Sequence, residues 1–206
     1  MEIARAAAAL FVQQGLRATR AEDIAQAAGI APRTFYRYFA TKEEAVAPLY
    51  AAGAQRWIEA VRTAPAHLAL PQVLEHAVHQ TLTPGIGVSA ASWEWLRTLI
   101  HLADTSPALR KVWAEVCQAS ERALAEILAA RGAEEDEDTP EPVRLSPDLR
   151  FAAAVAGAAV RVAVESWAAT TTPPTGPEGP AALAQRNLRA LRDFGWGGSE
   201  CAPLRP

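Results

Sequence analysis

Helical spacing of apolar residues is the feature that most limits the folds open to this 206-residue chain. In the first stretch, apolar side chains recur every three or four residues, as on one face of an α-helix: Ile3, Ala6, Ala7, Leu10 and Phe11. No stretch alternates apolar and polar residues for long, which is the pattern of a half-buried strand. We therefore predict an all-α fold. The predicted helices run from Ile3 to near Gly15, from Thr19 to Gly29 and from Pro32 to Phe39, and then over about 42–63, 71–83, 89–103, 107–131, 147–171 and 178–194.

The composition is that of a folded protein with a sizeable core. Half of the residues are hydrophobic and 21% are charged, which excludes a disordered chain. The cysteines are Cys117 and Cys201, too few for a disulfide-stapled mini-protein and typical of a reducing compartment. The longest apolar stretch, Phe151 to Val160, is too short to span a bilayer. We expect a soluble, cytoplasmic protein without membrane contact.

The net charge of −3 hides an uneven distribution. Segment 132–145 holds six acidic residues and one arginine, so the rest of the chain carries +2. We predict that 132–145 is a flexible acidic loop and that 196–206 is a flexible tail. Residues 31–42 contain Arg33, Arg37 and Lys42 and no acidic residue, which makes them a local basic patch.

Two short helices joined by a glycine turn precede this basic patch. Thr19 and Glu22 have the spacing of a capping box for the second helix, and Gly29 ends it. Pro32 suits the first turn of the third helix. At about 100° per residue, Phe35 and Phe39 share the inward face of that helix. This order of elements is typical of a helix-turn-helix, in which the last helix enters the major groove of DNA.

The outward face of the third helix carries side chains that can donate hydrogen bonds to DNA. Arg33 and Arg37 point away from the core and suit guanine, while Thr34, Tyr36 and Tyr38 lie on the flanks and suit phosphates. Lys42 follows at the start of the predicted fourth helix and suits a further phosphate. A surface helix with merely solvated arginines is the alternative interpretation.

The quoted residues also resemble a known family. The pattern comprises Ile3, Ala6-Ala7, Leu10-Phe11, Gly15, Thr19, Asp23-Ile24-Ala25, Ala28-Gly29-Ile30, Thr34-Phe35-Tyr36-Arg37-Tyr38-Phe39 and Thr41-Lys42-Glu43. It resembles the DNA-binding domain of the TetR family of bacterial one-component regulators, without a gap, over residues 1 to about 46. Ala31 departs from the Ser or Thr that usually caps the third helix, which weakens the helix start by about 1 kcal/mol.

The resemblance implies an all-helical homodimer with a three-helix DNA-binding domain over 1–46 and a ligand-binding and dimerisation domain over 47–195. It implies a regulator, most simply a repressor, that binds double-stranded DNA at a palindromic operator and leaves it when a small hydrophobic effector binds. The candidate DNA-binding residues are Thr19, Arg33, Thr34, Tyr36, Arg37, Tyr38 and Lys42. A looser resemblance of Arg33–Glu43 and the Trp- and Ala-rich remainder, to a branch linked to mycofactocin clusters, implies an acyl-CoA type of effector.

Tryptophans on the predicted helices of the second domain indicate where such an effector binds. The candidate ligand-binding residues are Trp57, Trp93, Trp113, Arg161 and Trp167; ordinary core packing is the alternative for each tryptophan. Trp95 lies two residues from Trp93, so we expect that at most one of the two lines the same cavity. Arg161 either neutralises Glu165, four residues on, or faces a ligand carboxylate or phosphate.

The helix predicted over 147–171 is apolar nearly all round and therefore has to be buried on every face. Its small residues Ala153, Ala156, Gly157 and Val160 form a seam that we expect a helix of a second subunit to approach. With the helix predicted over 178–194, which presents Leu183, Asn187, Ala190 and Phe194 on one face, it suits a four-helix dimer interface.

Catalysis, metal binding and a cofactor are not predicted. His76, His79 and His101 have no acidic or cysteine partner at a metal-ligand spacing, and the chain offers no nucleophilic triad and no carboxylate pair. Two rival functions stay open at this point. One is a helical protein that sequesters small molecules and carries a vestigial DNA-binding head, and the other is an all-helical enzyme.

Overall fold

A computed structural model describes residues 1–86, 90–135 and 145–192 of the chain. Over these ranges it contains nine α-helices: α1 Glu2–Gln14, α2 Ala21–Ala27, α3 Pro32–Tyr38, α4 Ala47–Arg62, α5 Leu70–Leu82, α6 Ala90–Thr105, α7 Pro107–Glu135, α8 Pro147–Ala168 and α9 Pro180–Ala190. One 3₁₀ turn, Glu44–Val46, precedes α4. The all-α prediction is confirmed.

Two long helices, predicted over 107–131 and 147–171, begin with a serine cap followed by a proline. Ser106 accepts a hydrogen bond from the backbone N–H of Leu109 at 3.4 Å, and Ser146 accepts one from Leu149 at 3.1 Å. Both serines stand directly before a proline that opens a long helix. A side-chain cap is a local interaction, so the sequence around it suffices to locate it.

The start of α2 differs from the prediction by one residue. Arg20, not Thr19, is the N-cap, and its backbone N–H donates to the Asp23 carboxylate at 2.8 Å. Thr19 cannot cap the helix because its hydroxyl donates to the carbonyl of Gly15 at 2.9 Å. The capping pair is therefore formed by Arg20 and Asp23 rather than by Thr19 and Glu22.

Other helix ends also move. The helix predicted from residue 42 begins at Ala47, after the 3₁₀ turn. The backbone N–H of Glu44, the first residue of that turn, donates to the Thr41 hydroxyl at 3.3 Å. Helix α7 continues to Glu135, so the first residues of the predicted acidic loop 132–145 are helical. Residues 136–144 and the predicted tail 196–206 lie outside the described residues, as do Phe194 and Cys201.

Two main groups of buried side chains hold the helices together. The first surrounds α1, α2 and α3, with Phe11, Ile24 and Phe35 fully buried, and it also takes in Leu99 of α6 and Leu109 of α7. The second joins α4, α5, α7, α8 and α9. Helices α1, α2 and α3 thus share a core with α6 and α7.

Helix α8 is a core helix although it is long and apolar enough to pass for a membrane span. Its mean hydropathy over the most apolar window is 1.3, and 44% of that window is buried within the protein. The small-residue seam faces inward, which corrects our expectation that a second subunit approaches it. Ala153 and Ala156 are fully buried against the chain's own helices, and Gly157 lies against Glu121 of α7. The approaching helix is α7 of the same chain.

Helix α9 also contributes much of its apolar face to its own subunit. Ala184 and Leu188 are buried, and the Asn187 side-chain amide donates to the carbonyl of Ala159 on α8 at 2.9 Å. The two helices predicted for the dimer interface are therefore fixed to each other, with their remaining faces at the surface.

Candidate nucleic-acid interface and ligand cavity

Helix α3 is held on the core by one aromatic side chain. Phe35 is fully buried and its ring lies 5.4 Å from the ring of Phe39, which packs beside the same core. The turn before α3 needs Gly29, whose φ of +67° is costly for other residues. The backbone N–H of Ile30 then donates to the carbonyl of Ala25 at 2.9 Å, which ends α2.

The opposite side of α3 faces solvent, as the helical spacing predicts. Arg33 and Arg37 are exposed, and Tyr36 and Tyr38 are 52% and 61% exposed. Thr34 is half-buried. Exposed tyrosines of this size, standing beside arginines, place apolar area and hydrogen-bond donors on one surface, which suits contact with a polyanion better than contact with water alone. We call Arg33, Thr34, Tyr36, Arg37 and Tyr38 the α3 face.

Side chains of the α3 face are partly fixed by their neighbours. The Arg37 guanidinium lies over the Tyr38 ring, 5.0 Å from its centroid, and donates to the Tyr38 hydroxyl at 3.1 Å. The Tyr36 hydroxyl donates to the Glu22 carboxylate of α2 at 3.3 Å. Contacts of this kind limit the rotamers of long side chains before any binding takes place.

Thr19 and Lys42 do not belong to the α3 face. Thr19 is 1% exposed, and its hydroxyl is engaged by Gly15 and by the side-chain amide of Gln14. The Lys42 ammonium group donates to the carbonyl of Leu16 at 2.6 Å and to that of Thr19 at 2.7 Å. In this structure both side chains therefore hold the connection between α1 and α2.

A cavity of about 510 Å³ lies among α4, α6, α7 and α8. Its volume falls within the range of about 300–1,000 Å³ that is usual for small-molecule sites. Four of the five predicted ligand-binding residues line it: Trp57, Trp93, Trp113 and Arg161. Trp167 does not line the cavity. Its ring packs edge-on against Trp93 with centroids 5.3 Å apart, and its indole N–H donates to the carbonyls of Thr172 and Pro173.

Both tryptophans of the pair on α6 line the cavity, which corrects the expectation that at most one does. Trp93 is fully buried, whereas Trp95 is 39% exposed. The cavity extends from the core to the surface of the protein, so it meets two different faces of α6. Helical spacing alone gives the angle between two side chains but not the extent of the space beside the helix.

Tyr50 and Glu121 also line the cavity, although neither is predicted from the sequence as a ligand-binding residue. Tyr50 stands seven residues before Trp57 on α4, and Glu121 stands eight after Trp113 on α7, so each shares a helix face with a predicted tryptophan. The Tyr50 hydroxyl donates to the carbonyl of Leu99 at 2.8 Å, and burial raises the pKa of this phenol.

The polar groups of the cavity wall differ in how they are paired. Arg161 donates to Glu165 at 3.0 Å, and the Trp113 indole N–H donates to the same carboxylate at 2.7 Å. Desolvation raises the pKa of the Glu121 carboxyl, and the nearby Arg161 charge offsets part of this rise. The Trp93 indole nitrogen is buried and has no hydrogen-bond partner in the described part of the chain.

Cys117 and the histidines provide no sign of metal or redox chemistry. Burial raises the pKa of the Cys117 thiol to about 12, so the thiolate that reacts and binds metals is disfavoured. Among residues 1–86, 90–135 and 145–192, no three His, Cys, Asp or Glu side chains come together in a group that could hold a metal ion.

Comparisons with known proteins match the chain at two levels. The family of bacterial regulatory proteins, tetR family, matches residues 3–47. The HTH-type transcriptional regulator TcmR of Streptomyces glaucescens is 31% identical over 173 residues, which cover 81% of this chain and 71% of that protein. The HTH-type transcriptional repressor KstR2 of Mycobacterium tuberculosis is 51% identical over 45 residues, 22% of each chain.

A similar fold is known from experiment. The structure of FadR from Thermus thermophilus, described as a TetR-family transcriptional repressor in complex with lauroyl-CoA, has a TM-score of 0.55 at 24% identity. The match covers 100% of this chain and 98% of that one. It extends the likeness beyond residues 3–47 to all the helices behind the α3 face.

Proposed function

Because the chain belongs to the TetR family of DNA-binding transcriptional regulators, we propose that it acts as a homodimeric, ligand-responsive repressor. In this proposal the dimer binds a palindromic operator and leaves it when an effector fills the aromatic cavity. The observation that carries the proposal is the α3 face, whose arginines and tyrosines stand outward while Phe35 anchors the helix.

Roles on the DNA follow from the chemistry of each side chain. Arg33 and Arg37 reach the base edges, where a guanidinium pairs with guanine O6 and N7. Thr34, Tyr36 and Tyr38 donate to phosphates, which set the position of the helix without selecting sequence. Lys42 and Thr19 also contact DNA in this proposal, after a rearrangement that frees their side chains from the α1–α2 connection. The two α3 helices of a dimer enter successive major grooves about 34–36 Å apart.

Contacts between the DNA-binding helices and the cavity support the coupling of the two sites. Met1 and Arg5, at the start of α1, line the cavity together with Tyr50 of α4. A ligand in the cavity therefore touches the helix that packs behind α2 and α3. It lowers operator occupancy if it prefers the geometry that does not fit DNA, and couplings of about 1–3 kcal/mol are typical of such switches.

In this proposal the effector is a small hydrophobic or acyl-type molecule. The lining of the cavity is mostly apolar, and the relative with the same fold from Thermus thermophilus is described with lauroyl-CoA bound. We also propose the division into residues 1–46 and 47–195, a homodimer through α8 and α9, and a cytoplasmic location. The curated relatives are transcriptional regulators, and the repressor proposed here needs no catalytic step.

The dimer proposal is supported by apolar side chains on the outer side of α8. Phe151 is 62% exposed and Val162 is 44% exposed, and the half-buried Val155 and Ala158 lie between them at helical spacing. An apolar stripe of this length on a soluble protein marks an interaction surface.

Selection of bound fragments from a random-sequence duplex pool tests the proposal, with the wild type and Arg37→Ala run in parallel at two salt concentrations. We expect the wild type to enrich a palindrome. The variant loses at least about tenfold in affinity for it, since a bidentate base contact contributes about 1–3 kcal/mol. Its melting temperature stays within about 1 °C of the wild type, because Arg37 is exposed.

Arg122→Ala is the matched control, since it removes the same charge from an exposed position on α7. We expect it to enrich the same palindrome with unchanged affinity. Failure of the wild type to enrich any sequence at either salt concentration would contradict the repressor proposal and favour a protein that only sequesters its ligand. Unfolding of Arg37→Ala would contradict the role of Arg37 as a DNA contact.

A further inference from the structure

Glu22 of α2 stands beside the α3 face and is not one of the DNA contacts proposed above. It is the second residue of α2, and its side chain is 44% exposed. Its carboxylate accepts a hydrogen bond from the Tyr36 hydroxyl at 3.3 Å. Because Tyr36 is itself 52% exposed, this carboxylate lies at the outer end of a side chain of the α3 face. DNA that contacts the α3 face therefore also comes close to Glu22.

The two acidic residues of α2 differ in what their carboxylates bind. Asp23 accepts a hydrogen bond from the backbone N–H of Arg20 at 2.8 Å and so caps the helix. Glu22 contacts side chains, namely the Tyr36 hydroxyl and the Arg20 guanidinium, whose Nε lies 3.4 Å from the carboxylate. A carboxylate has about four lone-pair positions, so two such contacts leave acceptor capacity free. The cap of α2 depends on Asp23, and Glu22 can still accept from a partner outside the chain.

The negative charge of Glu22 limits which part of the DNA it can face. Phosphates carry negative charge along both strands, so a carboxylate turned towards them lowers the affinity. In the major groove, the hydrogen-bond donors on the base edges are the N4 amino group of cytosine and the N6 amino group of adenine. On adenine the acceptor N7 lies beside the amino group and repels a carboxylate, whereas the edge of cytosine offers the amino group alone. Cytosine is therefore the base that suits Glu22.

The arginines of the α3 face cannot supply this contact. A guanidinium has donors only, so Arg33 and Arg37 suit the acceptors O6 and N7 of guanine and not an amino group. Glu22 adds a charged acceptor to a surface whose other charged groups are donors. The two kinds of side chain together can distinguish guanine from cytosine at different positions of the same half-site.

We propose that Glu22 is a further specificity-determining residue, whose carboxylate accepts a hydrogen bond from the N4 amino group of a cytosine in each half-site of the operator. In the free protein, Tyr36 and Arg20 hold the carboxylate at the edge of the α3 face. This inference rests on the proposed function, because a base contact requires sequence-specific binding of DNA.

Selection from a random-sequence duplex pool with the full-length wild type, Glu22→Ala and Glu22→Gln tests the contact. We expect the wild-type palindrome to contain a cytosine in each half-site whose preference is lost in Glu22→Ala. In Glu22→Gln the preference at the same position shifts to adenine, because a glutamine amide pairs with N6 and N7 of adenine. A residue that only supports the fold would not change one base preference into another.

Fluorescence anisotropy with the selected operator and with an unrelated duplex measures two affinities that the contact affects differently. For Glu22→Ala we expect the affinity for the operator to fall by about tenfold, which is typical of one lost base contact. The affinity for the unrelated duplex stays the same or rises, because a negative charge near the phosphates has been removed.

Glu59→Ala is the matched control. Glu59 is 50% exposed and also pairs with an arginine, Arg62, at 2.7 Å, but it lies near the C-terminal end of α4. We expect it to leave both affinities and the selected sequence unchanged. Circular dichroism melting of the three variants shows that folded proteins are being compared.

Two results would overturn the assignment of Glu22 and leave the proposed function intact. An unchanged base preference in both Glu22 variants, with an affinity that rises alike for every duplex, would place the carboxylate against phosphates. An equal loss of affinity for the operator and the unrelated duplex would restrict Glu22 to supporting the fold of α2 and α3. Failure of the wild type to enrich any sequence would instead contradict the proposed function itself, and this inference with it.

Discussion

The ammonium group of Lys42, which follows α3 in the chain, lies at the connection between α1 and α2. Its two acceptors, the carbonyls of Leu16 and Thr19, belong to a segment whose backbone otherwise depends on few local hydrogen bonds. A charged donor shared by two carbonyls fixes the angle between α1 and the helix-turn-helix. Lys42, which we propose as a phosphate contact, therefore also stabilises the α1–α2 connection in the free protein.

Replacement of Lys42 by methionine tests this task. We expect the free energy of unfolding to fall by about 1–3 kcal/mol, because two part-buried carbonyls lose their charged donor while the alkyl stem is kept. Urea denaturation followed by circular dichroism measures the change. Lys111→Met is the control, since Lys111 makes only an exposed pair with Glu115 at 3.8 Å, and we expect it to stay within about 0.5 kcal/mol. A Lys42→Met variant as stable as Lys111→Met would leave phosphate binding as the role of Lys42.

At the scale of elements, the space available in the cavity depends on how closely α7 and α8 approach each other. Gly157 allows α7 to approach closely: a β-carbon at this position would lie 2.9 Å from Cγ of Glu121. Glu121 in turn places its carboxyl in the cavity wall. The space between these helices therefore depends on a glycine in the middle of α8, where alanine is the better helix former.

Substitution of Gly157 by alanine sets helix propensity against this contact. Alone, Gly157→Ala is expected to destabilise the protein or leave it unchanged, because the gain of up to about 1 kcal/mol from propensity is opposed by the contact with Glu121. In a Glu121→Ala background the same change is expected to stabilise by about 0.5–1 kcal/mol. A double-mutant cycle from thermal melts measures the coupling. Additive effects of the two substitutions would show that Glu121 does not limit the approach.

These helices also show what the sequence could and could not predict. Ser106 and Ser146 mark helix starts correctly because a cap depends on residues a few positions away. The sequence predicts that a helix of a second subunit packs on the small-residue seam around Gly157, whereas the structure has α7 of the same chain there. An apolar helix face indicates that another helix covers it, but not which one. The α3 face followed from helical spacing alone. The inward turn of Lys42 did not, since its acceptors lie about two dozen residues earlier.

At the scale of the whole molecule, the described part of helix α8 presents apolar side chains that are exposed or half-buried. The apolar stripe of Phe151, Val155, Ala158 and Val162 runs along α8, while the opposite face of the helix contributes to the core. Helix α9 is fixed beside it through Asn187. In the proposed dimer, the position of this stripe sets the distance between the two α3 helices, and therefore the operator spacing that the dimer can bind.

Val162→Glu is expected to convert the proposed dimer into a monomer at micromolar concentration, since it places a charge in the middle of the proposed apolar interface. Sedimentation equilibrium measures the change in mass. Val12→Glu is the control, because Val12 is a similarly exposed valine on α1, 40% accessible against 44% for Val162. It is expected to stay dimeric. A Val162→Glu variant that sediments like the wild type would place the interface elsewhere.

The lining of the cavity by Met1 and Arg5 has a consequence for the cell as well as for the molecule. Under the proposed function, linkage is reciprocal: if the effector weakens operator binding by a given factor, the operator weakens effector binding by the same factor. A dimer on its promoter is then a poorer sensor than a free dimer. Spare copies of the protein fill first and act as a sink, so the effector concentration at which transcription begins rises with the abundance of the regulator itself.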